Sequence, residues 1–238
     1  MNRATLLLTR PEAQSLRFAD AFRQRFGSEW PVVISPLTRF KQLNPDPVPK
    51  DMTDLIFTSE NAVRAYVHLG GKSSGQAWCV GERTVQAARS AGFSTRSGPG
   101  DAAGLAQMIV ASGAGRNMLW PRPVHAAFDI EKALNLAGIE TISLIVYDQV
   151  ACNPIPDAIA LMASSTRVLL PLFSARSASI AGDAFADAKA AICVASISSN
   201  VAAASAMLPA KHRITAANPD AIGMLDALAM FTGADKTA

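Results

Sequence analysis

Short apolar runs alternate with stretches of helical period along almost the whole chain. Residues 5–8 form an apolar run that predicts a strand. From Pro11 the spacing changes. Phe18, Phe22 and Phe26 recur every fourth residue with Arg17, Asp20 and Arg23 on other faces, which predicts a helix with one apolar stripe. Gly27 ends it, and 31–35 reads as the next strand. Further strands are predicted at 54–58, 77–81, 94–96, 117–120, 141–146, 168–173, 190–195 and 213–216. Helices are predicted at 61–69, through Val85 and Ala88, at 101–112, through Ile130, Ala133, Leu134 and Ala137, at 177–187, from Ser199, and at 219–231. Ten strands interleaved with helices are the signature of parallel α/β folding.

The pattern also repeats. Leu8-Thr9-Arg10-Pro11, with Ala21 and Phe22 behind it, recurs as Trp120-Pro121-Arg122-Pro123 with Ala133 and Leu134, an offset of 112 residues. Phe57-Thr58, Ala62, Val85, Ala87 and Ala88 recur as Phe173-Ser174, Ala178, Val201, Ala203 and Ala204 at an offset of 116. Asp101-Ala102-Ala103-Gly104 recurs as Asp220-Ala221-Ile222-Gly223 at 119. Pieces that keep their order and nearly one offset imply a duplicated domain. Two proline-rich breaks, 44–50 and 153–157, read as extended and fall inside the repeats, whereas the junction 111–116 is an ordinary loop. The expected fold is therefore α/β, with two similar Rossmann- or flavodoxin-like domains of five parallel strands each. One domain is contiguous, 44–147. The other is discontinuous, 1–36 plus 152–238, with the N-terminal βαβ unit swapped into it. Segments 37–43 and 148–151 are the linker strands of a double hinge. Two such domains facing each other make a cleft for a small molecule.

Composition narrows the function classes. The chain has 238 residues, 50% hydrophobic and 17% charged, enough for two domains. The net charge of +3 is too small to argue for a nucleic-acid partner. Cys79, Cys152 and Cys193 form no Cys-x-x-Cys, and Cys79 and Cys193 sit in apolar runs, so free buried thiols in a reducing cytoplasm are expected. Leu6-Leu7-Leu8 is too short for a signal peptide and no apolar run reaches membrane-spanning length, so no membrane contact is expected. His68, His125 and His212 fall on different elements, which gives no metal site. The glycines of 98–104 superficially suggest a dinucleotide loop, with one residue too many before the last, and read as a turn and cap. No serine-hydrolase motif, Cys/His pair or carboxylate pair is present. Any catalysis should rest on how a substrate is held rather than on a nucleophile or a metal.

Ligands of open parallel sheets bind beyond the carboxyl ends of the strands, where helix N-termini present free N–H groups. Six loops are placed there: Thr9-Arg10-Pro11, Thr58-Ser59-Glu60-Asn61, Gly81-Glu82-Arg83-Thr84, Pro121-Arg122-Pro123, Ser174-Ala175-Arg176-Ser177 and Ser198-Ser199-Asn200. Capping alone accounts for any one of them. Ser59, Ser174 and Asp101 are ordinary N-caps, and Asn218-Pro219 reads as a cap followed by proline at the first helical position. Taken together they make an anion-binding surface built more from backbone amides than from charged side chains. Tyr147, where the chain leaves the 141–146 strand, either packs its ring on the linker or presents a phenol that can donate to a leaving oxygen.

These residues resemble the uroporphyrinogen-III synthase family over nearly the whole chain. The likeness is carried by Leu8-Thr9-Arg10-Pro11, the run from Asp54 to Val63, Val80-Gly81-Glu82-Arg83-Thr84 with Ala91-Gly92-Phe93, Val146-Tyr147, the run from Phe173 to Ala178, and Ala217-Asn218-Pro219. The resemblance implies a cofactor-free, cyclising hydro-lyase of porphyrin and heme biosynthesis. Its substrate is hydroxymethylbilane, a linear octacarboxylate tetrapyrrole, which loses its terminal hydroxyl as water, passes through a spiro intermediate and closes with the last ring inverted. On the resemblance Tyr147 matches the tyrosine proposed to assist departure of the hydroxyl. Thr58, Ser59, Gly81, Thr84, Ser174 and Ser177 match loops that face the cleft. Arg10, Glu82, Arg83, Arg122, Ala175, Arg176, Ser198, Ser199 and Asn200 complete the expected substrate-binding set.

The chain departs from the family pattern twice. The last motif, usually glycine or serine followed two residues later by threonine, reads Ser198-Ser199-Asn200-Val201, which leaves Asn200 or Val201 in the threonine's role. The loop after Trp120, often glycine-bearing, is stiffened by Pro121 and Pro123 and makes Arg122 a candidate carboxylate partner. A monomer is expected, with hydroxymethylbilane synthase as a transient partner that supplies the substrate. The alternative from another class is a non-catalytic two-domain protein that closes on an anionic small molecule. A nucleotide-dependent α/β enzyme is a third reading, weakened by the missing phosphate loop.

Overall fold

Leu6, Leu7 and Leu8 are all fully buried, because their strand lies inside a parallel sheet that is covered on both faces. The computed structural model describes residues 3–45, 49, 52–113 and 117–233. Of the break at 44–50, residues 46–48 and 50 lie outside the described residues, as do 114–116 of the junction at 111–116. In chain order the first elements are β1 (Thr5–Leu8), α1 (Glu12–Phe26), β2 (Val32–Ile34) and β3 (Thr38–Gln42). The middle of the chain supplies β4 (Asp54–Phe57), α2 (Glu60–His68), β5 (Gln76–Cys79), α3 (Glu82–Ser90) and β6 (Ser94–Ser97). It continues with α4 (Ala102–Ala111), β7 (Met118–Pro123), α5 (Ile130–Leu136) and β8 (Thr141–Ala151). The last part supplies α6 (Pro156–Ala163), β9 (Arg167–Leu172), α7 (Ala175–Ala184), β10 (Ala191–Ser196), α8 (Ser199–Ala204), β11 (Ala210–Thr215) and α9 (Ala221–Thr232).

The chain divides into two units, one from the residues up to Arg39 together with those from Val150, the other from Phe40 to Gln149. The first holds a sheet of order β11-β10-β9-β1-β2, every neighbouring pair parallel. The second sheet has the order β3-β8-β7-β4-β5-β6, and β8-β7-β4-β5-β6 is parallel throughout. The two orders correspond strand for strand, with β7 and β8 in the places of β1 and β2, and β4, β5 and β6 in those of β9, β10 and β11. That correspondence is the structural face of the sequence repeat. β3 stands beside the ten strands of the repeat and falls within the segment 37–43 read as a linker strand, while 148–151 continues β8. Cys152 N donates to Leu37 O at 2.9 Å and Leu43 N donates to Val146 O at 3.0 Å. One number rises as the other falls, so β3 runs antiparallel to β8.

Alternation explains how continuous apolar runs fill two cores per sheet. In the first unit Leu7, Val168, Leu170 and Val194 face one core, while Leu6, Leu8, Leu169 and Cys193 face the other with Phe18 and Phe22 of α1. In the second, Leu55, Phe57, Cys79 and Leu119 face α2 and α3, and Ile56, Trp78, Met118 and Trp120 face α4 and α5. The repeated Asp-x-x-Gly pieces are paired caps. Asp101 accepts the Gly104 N–H at 2.8 Å, and Asp220 accepts the Gly223 N–H at 2.7 Å. Glycine is needed at both places because a Cβ would meet Pro99 at 2.5 Å in one copy and the Asn218 carbonyl at 2.3 Å in the other.

Three sequence readings are corrected. Asp220, not Asn218, caps α9, and Pro219 precedes the helix rather than opening it, because the aspartate carboxylate captures the third N–H. The stretch 153–157 is not extended throughout: Pro156 opens α6, a position where its missing N–H costs nothing. Helix α7 begins at Ala175, two residues earlier than the spacing predicts, directly after its cap Ser174. Among the described residues, no helix is long and apolar enough to cross a membrane.

Cys79 and Cys193 are buried and free. Burial pushes the Cys79 thiol from 9.0 up to about 12, and also raises the Tyr66 and Tyr147 phenols above 10.0. The unfolded chain therefore releases these protons at a lower pH than the folded one. Their contribution to stability is complete below about pH 9 and is lost as the pH climbs toward the folded values. The urea midpoint is expected to be lower at about pH 10.5 than at about pH 8, and Cys79→Ala should reduce that drop. Equal midpoints at the two pH values would contradict this.

Candidate functional site

In the second unit the chain turns sharply at the end of β4. Ser59 takes an extended backbone and caps α2, its Oγ accepting the Ala62 N–H at 3.1 Å. The same Oγ lies 3.0 Å from the phenol oxygen of Tyr147 on β8. Parallel pairing sets this meeting, since Tyr147 is level with Pro123 at the carboxyl end of β7. Tyr147 is only 3% exposed, and its ring stacks on Phe40 of β3, with centroids 5.3 Å apart and planes at 26°. Burial raises the phenol, while the hydrogen bond with Ser59 acts in the opposite direction. A cavity of about 360 Å³ adjoins the pair, lined by Thr58, Ser59, Trp120, His125, Tyr147 and Gln149 among others. Gly100 and Asp101 also border it, and this loop is a turn tied by Gly98 N to Cys79 O and Gly100 N to Val80 O, both 2.7 Å.

A smaller cavity of about 240 Å³ shares Trp120 and His125 and adds Arg122 and Asp129. Arg122 is half-buried. Its Nη1 donates to Pro123 O at 2.9 Å and to Val124 O at 3.1 Å, and its guanidinium lies 5.4 Å from the Trp120 ring. One arm of the expected carboxylate partner is thus committed to its own loop. Its Nε and the indole Nε1 of Trp120 are buried without a partner among the described residues. Gly81 caps α3, with Glu82 and Arg83 exposed on its first turn and Thr84 buried beneath it. None of these four lines the 360 Å³ cavity.

In the first unit, three expected loops follow the neighbouring strands β1, β9 and β10 at their carboxyl ends. Arg10 sets its guanidinium 4.0 Å over the ring of Phe173, and its Nε donates to Gln14 at 3.1 Å. Next to Phe173, Ser174 caps α7: its Oγ accepts the Ser177 N–H at 3.2 Å and donates to the Ser177 hydroxyl at 2.9 Å. Ala175, Arg176 and Ser177 form the half-buried first turn of that helix. Ser198 caps the short helix α8 through the Val201 N–H at 3.4 Å, leaving Ser199 and Asn200 exposed on its first turn.

Sequence reasoning misses Phe40, His125 and Gln149 as neighbours of the site, and uses Trp120 only as a repeat marker. An aromatic between Arg39 and Lys41 on a polar strand is the available signal for Phe40. His125 enters that reasoning only as a histidine without metal-ligand spacing. Among the described residues no group of three or more His, Cys, Asp or Glu side chains could hold a metal ion.

The chain matches the family model described as uroporphyrinogen-III synthase HemD over residues 18–226. A search of curated proteins finds no significant match. Among solved structures, it is similar to the uroporphyrinogen-III synthetase of Helicobacter pylori 26695 (15% identity, TM-score 0.69, 97% of this chain and 100% of that one). It is also similar to a mutant uroporphyrinogen III synthase of the extremely thermophilic bacterium Thermus thermophilus (14% identity, TM-score 0.54, 99% and 100%). At these identities the structural likeness establishes the two-domain α/β fold.

Proposed function

Since the chain belongs to the uroporphyrinogen-III synthase family, we propose that it cyclises hydroxymethylbilane to uroporphyrinogen III as a cofactor-free hydro-lyase, with Tyr147 as its catalytic acid. The family match over residues 18–226 carries this reading, and the buried phenol beside a cavity of ligand size supports the role of Tyr147. At about 360 Å³ the cavity suits one end of a long tetrapyrrole rather than all of it. Donation from Tyr147 to the terminal hydroxyl assists its loss as water, and the electron-rich terminal pyrrole then attacks the azafulvene through its substituted carbon. The spiro intermediate fragments and recloses with that ring inverted. Spontaneous closure gives the symmetric isomer, so the work of the protein is to hold one folding of the chain.

The serine-capped N-termini of α2 and α7 offer N–H groups to the substrate's carboxylates, with Arg10 and Arg176 as charged partners. On the same reading residues 1–36 and 152–238 form one domain, 44–147 the other, and the N-terminal βαβ unit is the exchanged piece. The protein works as a cytoplasmic monomer and receives its unstable substrate from hydroxymethylbilane synthase. The direct test generates hydroxymethylbilane in situ with that synthase, adds this protein and separates the oxidised porphyrin isomers. A large excess of isomer III is expected; a mixture unchanged from spontaneous closure would sink the assignment.

A further inference from the structure

We propose that Ser59 is a positioning residue that turns the Tyr147 phenol so that its proton faces the cavity, and that supports the phenol oxygen as this proton leaves. The inference rests on the role given to Tyr147 above. The two hydroxyl oxygens are 3.0 Å apart, and only one proton can lie between them. If Tyr147 donates, its proton is occupied and cannot reach a substrate. If Ser59 donates, the Tyr147 proton is free to point elsewhere. Local structure favours the second arrangement. The Ala62 N–H, at the positive end of α2, already donates to Ser59 Oγ at 3.1 Å. A hydroxyl that accepts a hydrogen bond becomes a better donor and a poorer second acceptor. The Phe40 stack and the burial of the ring hold the phenol in place beside the cavity that Tyr147 and Ser59 both line.

The chemistry balances. The bond between carbon and the terminal hydroxyl oxygen breaks with its electron pair on oxygen, and the Tyr147 proton completes a water molecule. The growing negative charge on the phenol oxygen is met by the Ser59 O–H, itself polarised from the helix end. The proton that the terminal ring loses at closure restores the phenol. The hydrogen bond with Ser59 also works against the upward effect of burial on the phenol.

A double-mutant cycle tests this, with kcat measured in the coupled isomer assay. Ser59→Ala is expected to lower kcat about three- to tenfold in the wild-type background and to have no further effect on Tyr147→Phe. Ser59→Thr, which keeps cap and hydroxyl, should restore the rate. Ser59→Asp, which keeps the cap but has no proton to donate, should be as slow as Ser59→Ala. An equal loss in both backgrounds, or a fast Ser59→Asp, overturns the inference. A second readout needs no turnover. The chain has 2 tyrosines, so in Tyr66→Phe the phenolate absorbance reports Tyr147 alone. Ser59→Ala should move that titration up by about half to one pH unit. If the wild type fails the isomer assay, the functional reading falls by itself, and an unmoved titration then overturns the role of Ser59.

Discussion

Tyr147→Phe is expected to lower kcat about a hundredfold, the low end of what a positioned acid contributes, while KM stays within about twofold. Phenylalanine keeps the ring, its stack on Phe40 and its packing in the core with Val146. The lost hydroxyl removes the acceptor of the Ser59 O–H, but Ser59 keeps its bond from Ala62 and is only half-buried, so water can take that donor and no fully buried polar group is stranded. The unfolding free energy should therefore change by less than about 1 kcal/mol. A kcat within about twofold of the wild type would remove the phenol from the chemistry. A large fall accompanied by a large loss of stability would make its role one of packing.

The largest effect on stability is expected at Phe22. Its ring is fully buried, 4.7 Å from Phe26 and 5.6 Å from Trp30 between centroids, and it joins α1 to the sheet face that carries Leu6, Leu8 and Leu169. Phe22→Ala removes the ring and leaves a hole that close-packed neighbours fill only in part, at a cost of about 3–5 kcal/mol. Phe26→Ala, one turn on, should cost roughly a third of that, because Phe26 is only half-buried. Urea unfolding at neutral pH measures both. Equal losses would mean that the helix is held by its whole apolar stripe rather than by its centre.

That contrast marks what a sequence conveys. The helical stripe Phe18, Phe22, Phe26 is legible from spacing, yet its gradation is not, because burial depends on which sheet residues lie beneath each turn. Caps are local, so Ser59, Ser174 and Asp101 are legible as caps. Where two caps compete, at Asn218 and Asp220, residue preference does not choose between them, and the close approach of the Asn218 carbonyl to Gly223 shows which loop geometry wins. Pro156 reads as a breaker although proline also opens helices. The meeting of Ser59 and Tyr147 is beyond the reach of local patterns, since it spans 88 residues and depends on the register of parallel strands. Arg122 is legible as a charge in the right loop, but not that its guanidinium folds back on Pro123 and Val124.

The strand order of the first sheet bears on how the protein is made. β1 pairs with β2 early, but its other neighbour β9, Thr5 opposite Val168, follows it from the ribosome roughly 160 residues later. At roughly 5–20 residues per second the wait is on the order of 10–30 s. Throughout it, Leu6, Leu8, Phe18 and Phe22 have only the β1–β2 pair and lack the β9 and β10 part of their core, while everything from β4 to β7 can already close on itself. The nascent chain thus carries a sticky segment ahead of a half that has already formed, and the interval is a window for aggregation and for holding chaperones.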